Sequence, residues 1–170
     1  MLEVSLGRLA REGEALLDAR IPADDPMWEG FGLGWTGPVE VQLRIASAGT
    51  GELVARGHVS GALRVECRRC LEPVETSIEE DVTIVFVEEE EAEEGTADDA
   101  RTFPATSGSL DLSQALREEI VLAIDPYVVC DAECKGLCPR CGTNLNEGTC
   151  SCVDDDPDPR WDALRSLKDK

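Results

Sequence analysis

From Val39 onward, apolar and polar side chains take turns along the chain. Val39, Val41, Leu43 and Ile45 alternate with Glu40, Gln42 and Arg44, the two-residue period of a strand with one face buried. Gly49-Thr50-Gly51 supplies a turn. Leu53, Ala55, Gly57, Val59, Gly61, Leu63 and Val65 then fill every second place of a long strand, whose glycines predict a bend or bulge. Cys67-Arg68-Arg69-Cys70-Leu71-Glu72-Pro73 interrupts the pattern, and Val74, Thr76, Ile78, Val82, Ile84 and Phe86 resume it. The expectation is a meander of antiparallel strands with a cysteine pair at the tip of a hairpin.

The flanks have other periods. Leu2, Val4 and Leu6 alternate like a short strand, while Leu16 and Leu17 lie in a helix-compatible stretch. Residues 24–38 have the Asp, Gly and Pro content of a loop, with Trp28 and Trp35 as core or lid residues. Leu112, Ala115, Leu116, Ile120, Ala123 and Ile124 recur at three- and four-residue spacing and predict an amphipathic helix. Asp111 and Gln114 resemble a capping box at its start, and Asp125-Pro126 ends it. Asp158-Pro159 opens a short terminal helix whose Trp161, Leu164 and Leu167 form a small apolar stripe. These elements predict an α+β fold: a twisted antiparallel sheet or partly closed barrel, a covering helix, and a zinc-bound, cysteine-rich C-terminal lobe. The boundary falls between a mixed domain at 1–125 and the lobe at 126–170.

Charge narrows the functional classes. The chain of 170 residues carries 36 acidic and 16 basic side chains, a formal charge of -20. A surface this anionic repels phosphate backbones and anionic lipids. No apolar run approaches the about 20 residues of a membrane span, and the first dozen residues contain acidic side chains and no uninterrupted apolar stretch, unlike a secretory signal. A cytoplasmic protein is expected. Residues 88–99 hold eight carboxylates and no base, which predicts a solvated loop serving as a solubilising linker or as a docking site for a basic partner.

In a reducing compartment, eight cysteines read as metal ligands rather than disulfides. Cys138-Pro139-Arg140-Cys141-Gly142 places two thiolates on a tight turn, with a glycine free to take the positive φ that such a turn needs. With Cys150 and Cys152 it makes an all-sulfur quartet suited to tetrahedral zinc. Cys67 and Cys70 form another two-spaced knuckle, and Cys130 and Cys134 are spaced by three. Neither pair completes a shell alone, so the economical expectation is that they meet as a second site; Cys134 joining the distal quartet is the alternative. Two zinc ions are expected. Everything else is poor in chemistry: His58 is the sole histidine and reads as a surface residue, no glycine-rich phosphate loop occurs, and all-cysteine quartets are closed to a catalytic water. No enzymatic role and no small-molecule substrate are expected.

The run from Cys130 to Cys152, the Cys67-Arg68-Arg69-Cys70-Leu71 knuckle after a glycine-containing strand, and Asp158-Pro159-Arg160-Trp161 together resemble the YceD family across residues 53–165. That family is linked to accumulation of large-subunit ribosomal RNA in bacteria and plastids. Some of its members lack the distal segment, which implies two separable sites with Cys67, Cys70, Cys130 and Cys134 as the shared one. The resemblance also implies a non-enzymatic factor in large ribosomal subunit biogenesis that supports 23S rRNA accumulation or processing. Acidity points to a basic ribosomal protein or a pre-ribosomal particle as the direct partner. Two rivals stand beside it. One is a zinc-ribbon regulator touching nucleic acid through Arg68, Arg69, Lys135 and Arg140; the other is a thiol redox switch.

Overall fold

The structure, a computed structural model, describes residues 2–49, 51–89, 100–104 and 106–152. The acidic stretch beyond Glu89 and the terminal helix expected around Trp161 lie outside the described residues. In chain order the elements are β1 (Glu3–Ser5), α1 (Leu6–Glu12), β2 (Glu14–Ile21), a 3-10 turn (Pro26–Trp28), β3 (Gly34–Trp35) and β4 (Val39–Ser47). There follow β5 (Glu52–Glu66), β6 (Pro73–Glu88), β7 (Arg101–Phe103), β8 (Ser109–Asp111) and α2 (Ser113–Ala123).

The alternation from Val39 builds the centre of the molecule. Val39, Val41, Leu43 and Ile45 of β4 face one way, as do Ala55, Val59 and Leu63 of β5 and Ile78, Val82, Ile84 and Phe86 of β6. Ala115, Leu116 and Ile120 of α2 join the same core. Each large aliphatic side chain buried there contributes about 1.5–3 kcal/mol of apolar transfer, and no cysteine belongs to this core. Trp28 and Trp35 belong to this core, with ring centroids 5.1 Å apart.

The sheet is open, in the order β2-β4-β5-β6-β7, with β3 beside β5 beyond the end of β4. Among the described residues β2 and the three-residue β7 end the order without pairing to each other, so no barrel closure is seen there. Nor is the sheet wholly antiparallel: β7 runs parallel to β6, with Phe86 opposite Arg101 and Glu88 opposite Phe103. A small second sheet pairs β1 with β8 and ties the N-terminal residues beside the start of α2.

Several expectations change. Residues 14–21 are a strand, not a helix: Ala15, Leu17 and Ala19 lean on the core while the adjacent Leu16 is 72% exposed, so the leucine pair hid a two-residue period. The N-terminal helix lies just before it, from Leu6, capped by Ser5 and ended by Gly13. The long β5–β6 hairpin has no bulge, since its register runs unbroken from Glu52↔Val87 to Glu66↔Pro73. Gly61 instead makes room for a neighbour: a Cβ there would come within 3.0 Å of the Trp35 ring. The capping box does not form on α2, whose N-cap is Leu112 with no side-chain cap bond. The Asp111 carboxylate accepts from the Ser113 N–H, but Gln114 reaches forward to Glu118.

The hairpin sets up the cysteine-rich region. Its unbroken register delivers Cys67 and Cys70 at the tip, and the chain leaving α2 returns there, where the Arg68 N–H donates to Val128 O.

Candidate metal centres

Two groups of four sulfurs form, each with all its sulfurs within 4.8 Å of one another. Cys67, Cys70, Cys130 and Cys134 make the proximal quartet; Cys138, Cys141, Cys150 and Cys152 make the distal one. Cys134 thus stands with the hairpin cysteines rather than with the distal set. In the proximal quartet, Sγ of Cys67 and Cys134 are 3.9 Å apart, and those of Cys70 and Cys130 are 3.6 Å apart. A tetrahedron with metal–sulfur bonds of about 2.3 Å has edges of about 3.8 Å, so the spacing fits a four-coordinate thiolate metal. All eight cysteines are free of disulfides.

The local turns follow from sequence. Gly142, next after Cys141, has φ +73, the left-handed value its knuckle requires. The matching place after Cys70 holds Leu71, which takes φ +62 as the one non-glycine residue with positive φ among the described residues. A side chain there costs about 1–2 kcal/mol, and the knuckle's Leu71 N–H to Cys67 O bond of 2.9 Å helps to hold it.

Around the proximal sulfurs the protein supplies donors. The Arg69 and Cys130 N–H groups donate to Cys67 Sγ at 3.4 and 3.3 Å. Burial alone raises the Cys67 thiol, but N–H bonds from Cys70, Cys130 and Arg69 outweigh it and bring its pKa down to about 6. Cys130 is pushed up to about 12 by the neighbouring sulfurs, Cys134 foremost. The distal quartet repeats the split: the Thr143 hydroxyl and N–H bring Cys141 down to about 6, and the Cys141 sulfur pushes Cys152 up to about 12. Four thiolates this close cannot all be anionic without a cation, so one thiol keeps its proton while another loses it. A divalent ion would replace those protons.

The four cations expected to form a patch have separate roles. Arg69 is a clamp, its guanidinium donating to Ala132 O at 3.0 Å and Cys134 O at 2.9 Å. Arg68 and Lys135 are exposed and have no carboxylate partner among the described residues, while Arg140 is exposed on the distal knuckle. His58 lies on the outer sheet face, its Nδ1 3.1 Å from Asp81 Oδ1.

One residue of the site was not visible as a motif. Asn146, in the loop between Cys141 and Cys150, donates from Nδ2 to Cys134 Sγ at 3.3 Å and accepts the Lys135 N–H at 2.8 Å. Asn144 steadies it, accepting both the backbone and side-chain N–H of Asn146. The distal loop therefore supplies a hydrogen-bond donor to the proximal quartet. Its only sequence signal is a pair of asparagines in a turn, which reads as turn chemistry.

An uncharacterized protein of Mycobacterium tuberculosis is 28% identical over 166 residues, covering 96% of this chain and 79% of the relative. The large ribosomal RNA subunit accumulation protein YCED homolog 1, chloroplastic, of Zea mays is 30% identical over 168 residues, covering 79% of this chain and 57% of the relative. Its Arabidopsis thaliana namesake is 33% identical over 73 residues, covering 43% of this chain and 23% of the relative. No solved structure matches the chain significantly. The family model described as large ribosomal RNA subunit accumulation protein YceD matches residues 55–168, a stretch that contains all eight cysteines, and the chain belongs to that family.

Proposed function

We propose that this protein is a zinc-binding, non-enzymatic factor in large ribosomal subunit biogenesis, supporting 23S rRNA accumulation or processing in the cytoplasm. The observation that carries the reading is the family match across both sulfur quartets, together with the names of the plant relatives. All-sulfur quartets suit structural zinc, whose four positions are filled by protein and leave no site for a catalytic water. On this reading the eight cysteines are the ligands of two zinc ions. The proximal ion joins a mixed domain, residues 1–125, to a C-terminal lobe, residues 126–170.

The direct partner is a basic protein of the pre-ribosomal particle. A charge of -20 attracts such a protein and repels bare RNA. Direct RNA contact through Arg68, Arg69, Lys135 and Arg140 is the weaker reading, because Arg69 is already bound to backbone carbonyls. Among the described residues no helix is long and apolar enough to cross a membrane.

Sedimentation of cell extracts on sucrose gradients tests the proposal, with 23S rRNA quantified after depletion of the protein. Co-migration with large-subunit precursors and loss of mature 23S rRNA support it. Migration only with free protein and unchanged rRNA would refute it.

A further inference from the structure

The sheet has a long side that nothing described here occupies. β6 pairs with β5 from Pro73 to Val87, but on its other side β7 meets only Phe86, Val87 and Glu88. Among the described residues, no backbone hydrogen bond reaches the outer side of the strand between Val74 and Val85. At about 3.4 Å per residue this open edge runs about 40 Å. Proteins guard such an edge with charged side chains, inward-pointing charges, proline or a bulge, because its unpaired amides and carbonyls recruit other strands, and a guard of one sign still admits a strand of the opposite sign. Here the register is continuous, and no lysine, arginine or further proline occurs between residues 74 and 100.

What the edge carries instead is negative charge. Glu75 is bridged to Arg64 and Asp81 to His58, but Glu79 and Glu80 are exposed and have no cationic partner among the described residues. Glu80 sits opposite Val59 and shares the core-side parity of Ile78 and Val82, so its carboxylate lies on the inner face at an open edge. Where β7 stops, the edge opens into a cleft of about 560 Å³ lined by Thr83, Ile84, Ala100, Leu122 and an Arg101 that is ion-paired to Glu118 and Glu119, so the free carboxylates of the edge are Glu79 and Glu80 rather than those of the cleft. Leu122 is 79% exposed there.

We propose that this edge of β6 receives an extended basic segment of a partner protein, which adds a strand to the sheet and sets its cationic side chains against Glu79 and Glu80. Backbone pairing would give affinity, and the carboxylates would select the sign of charge. A second copy of this chain is disfavoured, since edge-to-edge pairing would set carboxylates against carboxylates. RNA offers no strand and carries the wrong charge. The inference rests on the proposed function for the kind of partner, though its geometry stands independently.

The test uses the full chain and a twelve-residue peptide alternating lysine with valine and threonine. An N-methylated version of equal charge lacks the donors of one strand edge. NMR titration with amide exchange should show slowed exchange confined to residues 74–85, and binding at least ten-fold weaker for the N-methylated peptide. Glu79→Lys/Glu80→Lys should weaken binding by a similar factor without changing the melting temperature, and Glu80→Gln should have a smaller effect. Equal affinity for the two peptides would mean charge attraction alone and would overturn the proposal. So would edge amides already protected in the free chain, or self-association through this edge. If wild type fails to sediment with precursors but binds the peptide as described, the proposed function falls and the edge stands; the reverse pattern sinks only the edge.

Discussion

The two sulfur quartets have the same composition and differ in what holds them. The proximal quartet draws Cys67 and Cys70 from the tip of a long hairpin and Cys130 and Cys134 from the chain beyond α2, so closing it links residues 60 or more positions apart. Cys67, Cys70 and Cys134 are nearly inaccessible, at 0%, 3% and 6% exposure, and Cys130 is that quartet's one exposed ligand, whereas in the distal quartet only Cys138 is buried. The distal quartet is local, from Cys138 to Cys152, and Cys141 and Cys152 are exposed. The difference teaches that identical donors can have different tasks. The proximal centre fastens tertiary structure, whereas the distal one shapes a loop that lends a donor back to its neighbour through Asn146.

That comparison can be broken first by removing one ligand from each centre. Cys67→Ser should destabilise the chain by about 4 kcal/mol or more, as expected when a metal holding distant segments is lost. Cys138→Ser should cost the sheet only about 1–2 kcal/mol, because the apolar core does not depend on the distal loop. Denaturant unfolding of both variants measures the ranking. Equal losses would erase the distinction.

The link between the centres is the next target. Asn146→Ala removes a donor to a thiolate, and losing such an outer hydrogen bond typically weakens metal binding by about ten- to hundred-fold. Cobalt(II) titration should place this loss in the proximal quartet although the substitution lies in the distal loop. Cys138→Ser should reproduce part of it by loosening the loop that carries Asn146. Unchanged proximal affinity in both variants would make the centres independent.

The smallest effect is the order of metal release in acid. Cys130 and Cys152, pushed up to about 12 in the metal-free quartets, must give up protons to ligate, so falling pH favours the thiols over the metal in both centres. Affinity is therefore highest at high pH and is lost as pH falls. Solvent reaches Cys141 and Cys152 more easily than Cys67 and Cys70, so the distal ion should leave at the higher pH. Stepwise acidification with a colorimetric chelator reads the order; proximal release first would contradict it.

Much of this was legible in the residues, for identifiable reasons. The alternation of β4 through β6 reports one buried face, and two-spaced cysteines report a turn that grips metal; neither depends on distant sequence. β2 was illegible because Leu16 is apolar on the outer face. The short helix before it, between Ser5 and Gly13, has a capping signal but too few residues for a clear period. Strand order, the parallel β7 and the edge of β6 left unpaired among the described residues are properties of pairing, which no local pattern encodes. Cysteine spacing left Cys134 open between two quartets, and chain geometry assigns it to the hairpin. Asn146 was hidden because an outer donor needs only a suitable amide at the right place.

The eight thiolates should form two metal centres of unequal structural weight. Native mass spectrometry of the purified chain, paired with elemental analysis, tests it most directly. Two zinc ions per wild-type chain and one per Cys138→Ser chain are the expected result. A single ion in the wild type, or none, would contradict the account.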